Sequence, residues 1–410
     1  MGYADLVIAR RYHSRIFFLA AGLALCVSPV LAEHKATYSE KMQMGQMLYF
    51  NGDVDRAIRA FEQAAELNQK AAEPHTMLLQ LYTQKGGAEY MDKAIKECHE
   101  VLERKPNKDI HLVLGNLLRN AAGSEPDAAK QKEKLDEASK EILEAEKEGA
   151  KRSLCEYTIG MIDLQQGNTD QASAHVEEAI KDQPDFADAH LVHGVLMFKE
   201  ATKAGADGKP KDFSDPAVQQ SLNKVIDELD VAIKQKPKNA EAHNTKAEIL
   251  LALGKNSEAE DEYNKTITDE PRYSQAWVGI GSIEAQLAAK ETEADKQQVH
   301  IKKAREAFEK AKALNPNDKN ISYGLALLLE KMGLFNEAAT EFENCMMLET
   351  DTLTKANIQM HIQQLRGVQQ LTPLGGAMPG VPGVGGSIFT GGALSIPMKN
   401  LIQAPEQDKK

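Results

Sequence analysis

The sequence predicts an all-α fold built from repeated helix pairs, and three observations carry that prediction. Hydrophobic residues make up 42% of the 410 residues but aromatics only 5%, and the bulk is Ala, Leu, Glu, Lys and Gln, which are good helix formers. Proline recurs where an apolar-periodic stretch stops: KPNKD at 105–109, QPDFAD at 183–188, KPKNAE at 236–241, EPRYSQ at 270–275 and NPNDKN at 315–320. Proline cannot continue a helix, and the polar residues after it can cap the next one. Lastly, a small–large–small triplet spaced by four and three residues repeats along the chain. That spacing puts all three residues on one helix face.

Taken in order, residues 1–32 read as a cleavable signal peptide. Arg10, Arg11, His13 and Arg15 form a basic start, and Ile16 to Val27 is an apolar run. As a helix that run is about 18 Å long, short for a membrane span. Ser28 and Pro29 break it, and Val30-Leu31-Ala32 offers a peptidase site, so the cut is expected after Ala32. An uncleaved anchor is the alternative. Cys26 leaves with the signal, and Cys98, Cys155 and Cys345 read as core thiols because three scattered cysteines make no disulfide framework.

Eight units follow, at 38–71, 72–107, 108–152, 153–186, 187–239, 240–273, 274–318 and 319–352. Their triplets begin with Ala57-Phe61-Ala64, Ala94-Cys98-Val101 and Ala138-Ile142-Ala145, then Ala172-Val176-Ala179 and Val225-Leu229-Ala232. Ala259-Tyr263-Thr266, Ala304-Phe308-Ala311 and Ala338-Phe342-Cys345 complete the set. Twelve residues before four of these triplets stands a small residue, Gly45, Gly160, Ala247 or Ala326. Two antiparallel helices joined by a tight turn account for the step. Turns such as QQGNTDQA at 165–172 carry the Gly and Asn that helix ends need.

This pattern resembles the tetratricopeptide repeat family over about 38–352. The resemblance implies a right-handed superhelical solenoid of helix-turn-helix repeats. The family's Trp stands only at Trp277, while His75, His111, His190 and His243 hold its place elsewhere.

Units 3, 5 and 7 are expanded between their two helices. Gly115 to Ala138 and Gly281 to Ala304 are each 23 residues apart, and the excess is close to three helical turns. In the seventh unit both helices are expected to lengthen. In the third, Ser124-Glu125-Pro126 reads as a helix start, so the second helix alone is expected to be long. In the fifth, AGADGKPKD at 204–212 reads as an exposed loop and Asp215-Pro216 as a cap and first turn. The expansions form a second docking edge or are tolerated surface insertions. Residues 353–370 read as a capping helix, and 371–410 as a Gly/Pro-rich disordered tail in which 387–402 retains apolar residues.

Function follows by exclusion and by resemblance. A net charge of −12 repels nucleic acid phosphates, so no nucleic acid partner is expected. No phosphate loop, Cys-x-x-Cys pair or nucleophile elbow occurs, so the sequence predicts no enzyme, no cofactor and no small-molecule substrate. His190 and His193 alone make too few ligands for a metal site. After cleavage no segment is apolar enough to span a membrane. The resemblance implies that the first helix of each pair lines a groove. Inward positions would include Met42, Gln46, Tyr49, Thr76, Gln80, Leu112, Asn116 and Arg119, and later Asn244, Glu248, Ser282, Tyr323 and Leu327. Tyr157, Met161 and Leu164 with Leu191, Val195 and Phe198 form the apolar middle. They anchor a partner or pack against a neighbouring repeat. The two-lysine clamp of chaperone-binding relatives is absent, so a C-terminal carboxylate is not the expected target. The expected role is a protein-binding scaffold of bacterial type, periplasmic or secreted. The alternative is an accessory subunit of an envelope enzyme or secretion complex.

Overall fold

A computed structural model describes residues 36–203 and 211–371. The expected signal peptide, most of the expected 204–212 loop and the expected tail beyond 371 lie outside the described residues. Among the described residues there are seventeen helices and no strand. The chain is an all-α helical repeat protein. Its contacts divide it into two compact units, one reaching Ala179 and the other starting at Ile180.

The first unit opens with α1 (Tyr38–Phe50) and α2 (Val54–Leu67). Thr37 starts α1 with a reciprocal cap: its hydroxyl accepts from the Glu40 backbone N–H, and the Glu40 carboxylate accepts from that of Thr37. Asp53 caps α2 through the Arg56 N–H. Next come α3 (Glu73–Lys85), α4 (Ala88–Arg104), α5 (Lys108–Gly123), α6 (Ala128–Lys147) and α7 (Arg152–Gln166). Helix α8 (Thr169–Asp182) runs through the point of division. Antiparallel partners pack α1 on α2, α3 on α4 and α5 on α6, and successive pairs stack in chain order.

The small–large rule is visible as close approach. A Cβ on Gly45 would stand 2.6 Å from the buried Phe61 ring, and one on Gly115 would stand 2.6 Å from Ile142. Glycine at these points lets one helix lie directly on the other's large side chain. The turn into α8 uses Gly167 at φ +84°, a conformation glycine adopts without strain.

The second unit contains α9 (Ala187–Thr202), α10 (Pro216–Gln235), α11 (Ala240–Ala252), α12 (Asn256–Asp269), α13 (Ser274–Lys290) and α14 (Ala294–Leu314), then α15 (Lys319–Lys331), α16 (Phe335–Leu348) and α17 (Thr352–Leu371). Asp215 caps α10 by accepting from the Ala217 N–H, with Pro216 in the first turn. Ile358, Ile362 and Leu365 of α17 are buried at helical spacing and join the core formed by Phe342 and Cys345 of α16.

The expanded pairs show where the inserted residues went. Against 13 and 14 residues in α1 and α2, α13 and α14 have 17 and 21, so both helices lengthen there. The third pair departs from the expectation that only its second helix grows. α6 reaches 20 residues, but α5 also extends to 16. The reason is packing: Leu118, Ala121 and Ala122 continue the apolar stripe of α5 and are buried. The start of α6 is set by Asp127, whose carboxylate accepts from the Ala129 and Lys130 N–H groups, and not by Ser124. Cys98, Cys155 and Cys345 are buried free thiols.

Candidate functional site

Tyr157, Met161 and Leu164 lie on one face of α7, at i, i+4 and i+7. Leu191, Val195 and Phe198 hold the same spacing on α9. The first three belong to the first unit and the last three to the second. Met161, Leu191 and Val195 are buried, between 6% and 8% exposed. Tyr157, Leu164 and Phe198 are half-buried. The two aromatic residues therefore keep part of their surface open, while Met161, Leu191 and Val195 serve as packing. Arg119 of α5 lies near Tyr157, and burial pushes its guanidinium down from the usual arginine range.

Another feature recurs across the helix pairs. Where the family pattern has Trp, histidine bonds a glutamate on the partner helix. His75 Nδ1 meets Glu97 at 2.7 Å and His111 Nδ1 meets Glu141 at 2.6 Å. In the second unit His190 meets Glu228 at 2.6 Å and His243 meets Glu262 at 2.5 Å. Each glutamate directly precedes the large residue of its helix: Cys98, Ile142, Leu229 and Tyr263. The second ring nitrogens of His190 and His243 lie 3.0 and 3.1 Å from the carbonyls of Pro184 and Pro237. These imidazoles thus tie the two helices of a pair to the loop before it. Glu262 sits at about 2: burial alone would raise it, but the His243 and Lys265 bonds win. His243 is raised chiefly by the bond to Glu262. The signal for these pairs was in the sequence, as Glu before the large residue and His at the Trp position. They are structural clasps. No group of three or more metal-ligating side chains occurs among the described residues.

A third arrangement lies on α11, where Glu241, Asn244 and Glu248 share a face. Asn244 is 4% exposed. Its Nδ2 donates to Glu248 Oε1 at 2.8 Å, and its Oδ1 is buried with no hydrogen-bond partner. Burial pushes the Glu248 carboxyl up to about 8. Glu241 rises to about 7 through burial first and then through the charges of Asp188 and Glu270.

No helix among the described residues is long and apolar enough to cross a membrane. Residues 41–70, covering most of α1 and α2, match a family model of the tetratricopeptide repeat, and residues 157–206 match another. Two segments of the chain are therefore similar to tetratricopeptide repeats. Among solved structures, a tetratricopeptide repeat protein from Parabacteroides merdae is 16% identical, covering 71% of this chain and 98% of its own, with a TM-score of 0.46. PilF of Pseudomonas aeruginosa is 19% identical over 53% of this chain and 86% of its own, with a TM-score of 0.40. Yeast Tom70 is 17% identical over 84% and 67%, with a TM-score of 0.42. No curated protein matches the sequence. The tetratricopeptide repeat is a general protein–protein interaction scaffold. The Tyr157 and Phe198 faces, the clasp histidines and the Glu241–Glu248 face lie on the first helices of their pairs, and the clasp glutamates on the second.

Proposed function

We propose that this chain is a non-catalytic scaffold of the cell envelope or exterior that holds a partner protein or peptide on the first helices of its repeats. The observation that supports it most is the pair of half-buried aromatics, Tyr157 and Phe198, each held beside buried aliphatic neighbours on its own helix. A partly buried aromatic suits binding, because it offers apolar surface while little side-chain entropy remains to be lost. The N-terminal order of basic, apolar and small residues supports export.

Protein recovered from the producing cell is expected to begin at Glu33, read by N-terminal sequencing. Met1 intact in an extracytoplasmic fraction would replace cleavage with an anchor. A crosslinked pull-down with the mature chain then supplies the partner, and a stoichiometric enzyme among the products would make the chain an accessory subunit. Tyr157→Ala or Phe198→Ala is expected to weaken the captured partner by about thirtyfold, the equivalent of about 2 kcal/mol. Helical content should stay unchanged and the effect should depend little on salt. Unchanged affinity in both variants would remove this site from the account. Binding lost together with helix would show both rings to be core.

A further inference from the structure

We propose that the α11 face carrying Glu241, Asn244 and Glu248 receives a lysine or arginine side chain from a basic segment of a partner protein. All of its parts lie in the second unit. The inference does not depend on Tyr157 or Phe198, and it stands or falls separately from the reading above.

The first observation is an accumulation of acceptors without a matching cation. Among the described residues Glu248 receives one hydrogen bond, from Asn244, and no lysine or arginine acts on its carboxyl. The Glu248 charge bears on the phenols of Tyr263 on α12 and Tyr273 at the start of α13, and neither supplies positive charge. The charges that bear on Glu241 are themselves acidic, Asp188 of α9 and Glu270 at the end of α12. Asp188 has its own partner, with Lys236 Nζ 2.6 Å away. An uncompensated carboxylate in a desolvated place is expensive, and a cationic group of the right reach removes the expense.

The second observation points independently to a ligand. Asn244 is buried, its amide lies against Glu248, and its Oδ1 accepts nothing. Buried amide oxygens are satisfied as a rule. The amide oxygen is itself enclosed, so a donor arriving at Glu248 gains it as a second acceptor once the Asn244 side chain turns toward the newcomer. The ligand must therefore bring several N–H donors and a positive charge, which an ammonium or guanidinium group does.

Glu248 as a residue keeps part of its surface open to solvent, which leaves a way in for a partner's side chain. A long aliphatic stem with a charged end suits that depth. A second copy of the chain is a poor occupant on charge, since each copy carries −12. Among the described residues no set of three metal-ligating side chains occurs at this place.

Glu248 is protonated when empty at neutral pH and must release that proton to form the ion pair. Affinity is then expected to rise with pH across the range where lysine stays charged.

The test uses the mature chain and a fluorescein-labelled hexalysine peptide, read by anisotropy at pH 6 and pH 9. Wild type is expected to bind at least tenfold more tightly at pH 9 than at pH 6. The double variant Glu241→Gln/Glu248→Gln is expected to lose at least tenfold at pH 9. Glu258→Gln/Asp261→Asn removes the same two charges from exposed positions on α12, and it should bind as wild type does. Equal losses in the two double variants would overturn the site, since the attraction would then be the charge of the whole protein. So would unchanged binding in Glu241→Gln/Glu248→Gln. Spermidine displacing the peptide at equal concentration would overturn the assignment to a protein segment, because the same ammonium chemistry would then come from a free polyamine.

Discussion

Phe308→Ala is expected to destabilise the second unit by about 3–5 kcal/mol, the range for deleting a fully buried phenylalanine. Phe308 is 1% exposed. Its ring lies where two glycines on different helices leave room. A Cβ on Gly281 of α13 would stand 3.0 Å from it, and one on Gly324 of α15 would stand 2.8 Å away. The side chain thus joins the two helices of its own pair and the first helix of the next. Its loss leaves a cavity that glycine-lined walls cannot fill with side chains of their own. Repeat arrays unfold in parts, so a single melting temperature would blur the effect. Amide hydrogen exchange resolves it. The opening free energies of α13 to α15 should fall by the full amount, while those of α1 to α4 stay unchanged. A change below about 1 kcal/mol at α13 to α15 would show that the neighbours collapse into the space.

The same ring shows why the repeats were legible. A helix contact that needs glycine or alanine opposite a large residue leaves its trace at fixed spacing, and the twelve-residue step from Gly45 to Ala57 or from Gly160 to Ala172 is that trace. Helix ends were less legible. Ser124-Glu125-Pro126 has the composition of a helix start, yet Asp127 holds the cap, and the buried Ala121 and Ala122 carry α5 onward. Composition names the turn, but packing decides which of several capable residues closes it. The histidine clasps were written at the Trp position without being readable as clasps, because the glutamates that complete them lie 19 to 38 residues away. The candidate site divides the same way. The face holding Tyr157 or Glu248 follows from helical phase. Whether a residue on that face is half-open, as Tyr157 is, or buried, as Val195 is, depends on neighbours that the phase does not specify. The state of the Glu248 carboxyl depends on burial, which raises it, and on the Asn244 bond, which lowers it less.

Glu248→Gln is expected to make the empty protein more stable, by roughly 3–5 kcal/mol above pH 8. The ordinary value for this group is 4.5 and the folded chain raises it to about 8 through burial, against a smaller lowering by the Asn244 bond. A raised carboxyl binds its proton more tightly when folded than when unfolded. Its contribution to stability is therefore complete below pH 4.5, declines as pH rises, and is lost once pH passes about 8. Glutamine keeps the shape and the acceptor for Asn244 Nδ2 but does not titrate. Wild type and variant should have nearly equal stability near pH 4.5 and separate steadily up to pH 8. Glu241, raised to about 7, slopes the same way in both proteins and cancels in the difference. Exchange protection of α11 and α12 measured from pH 5 to pH 9 gives the two curves. If they stay parallel, the carboxyl is solvated and neither the cost nor the proposed cation is needed. If they separate, hexalysine added to wild type at pH 9 should recover part of the gap and do nothing for the variant, because a ligand stabilises only the state that binds it. A residue that weakens the empty fold and strengthens the occupied one is the pattern of a binding group, since sites chosen for function often carry a cost in stability.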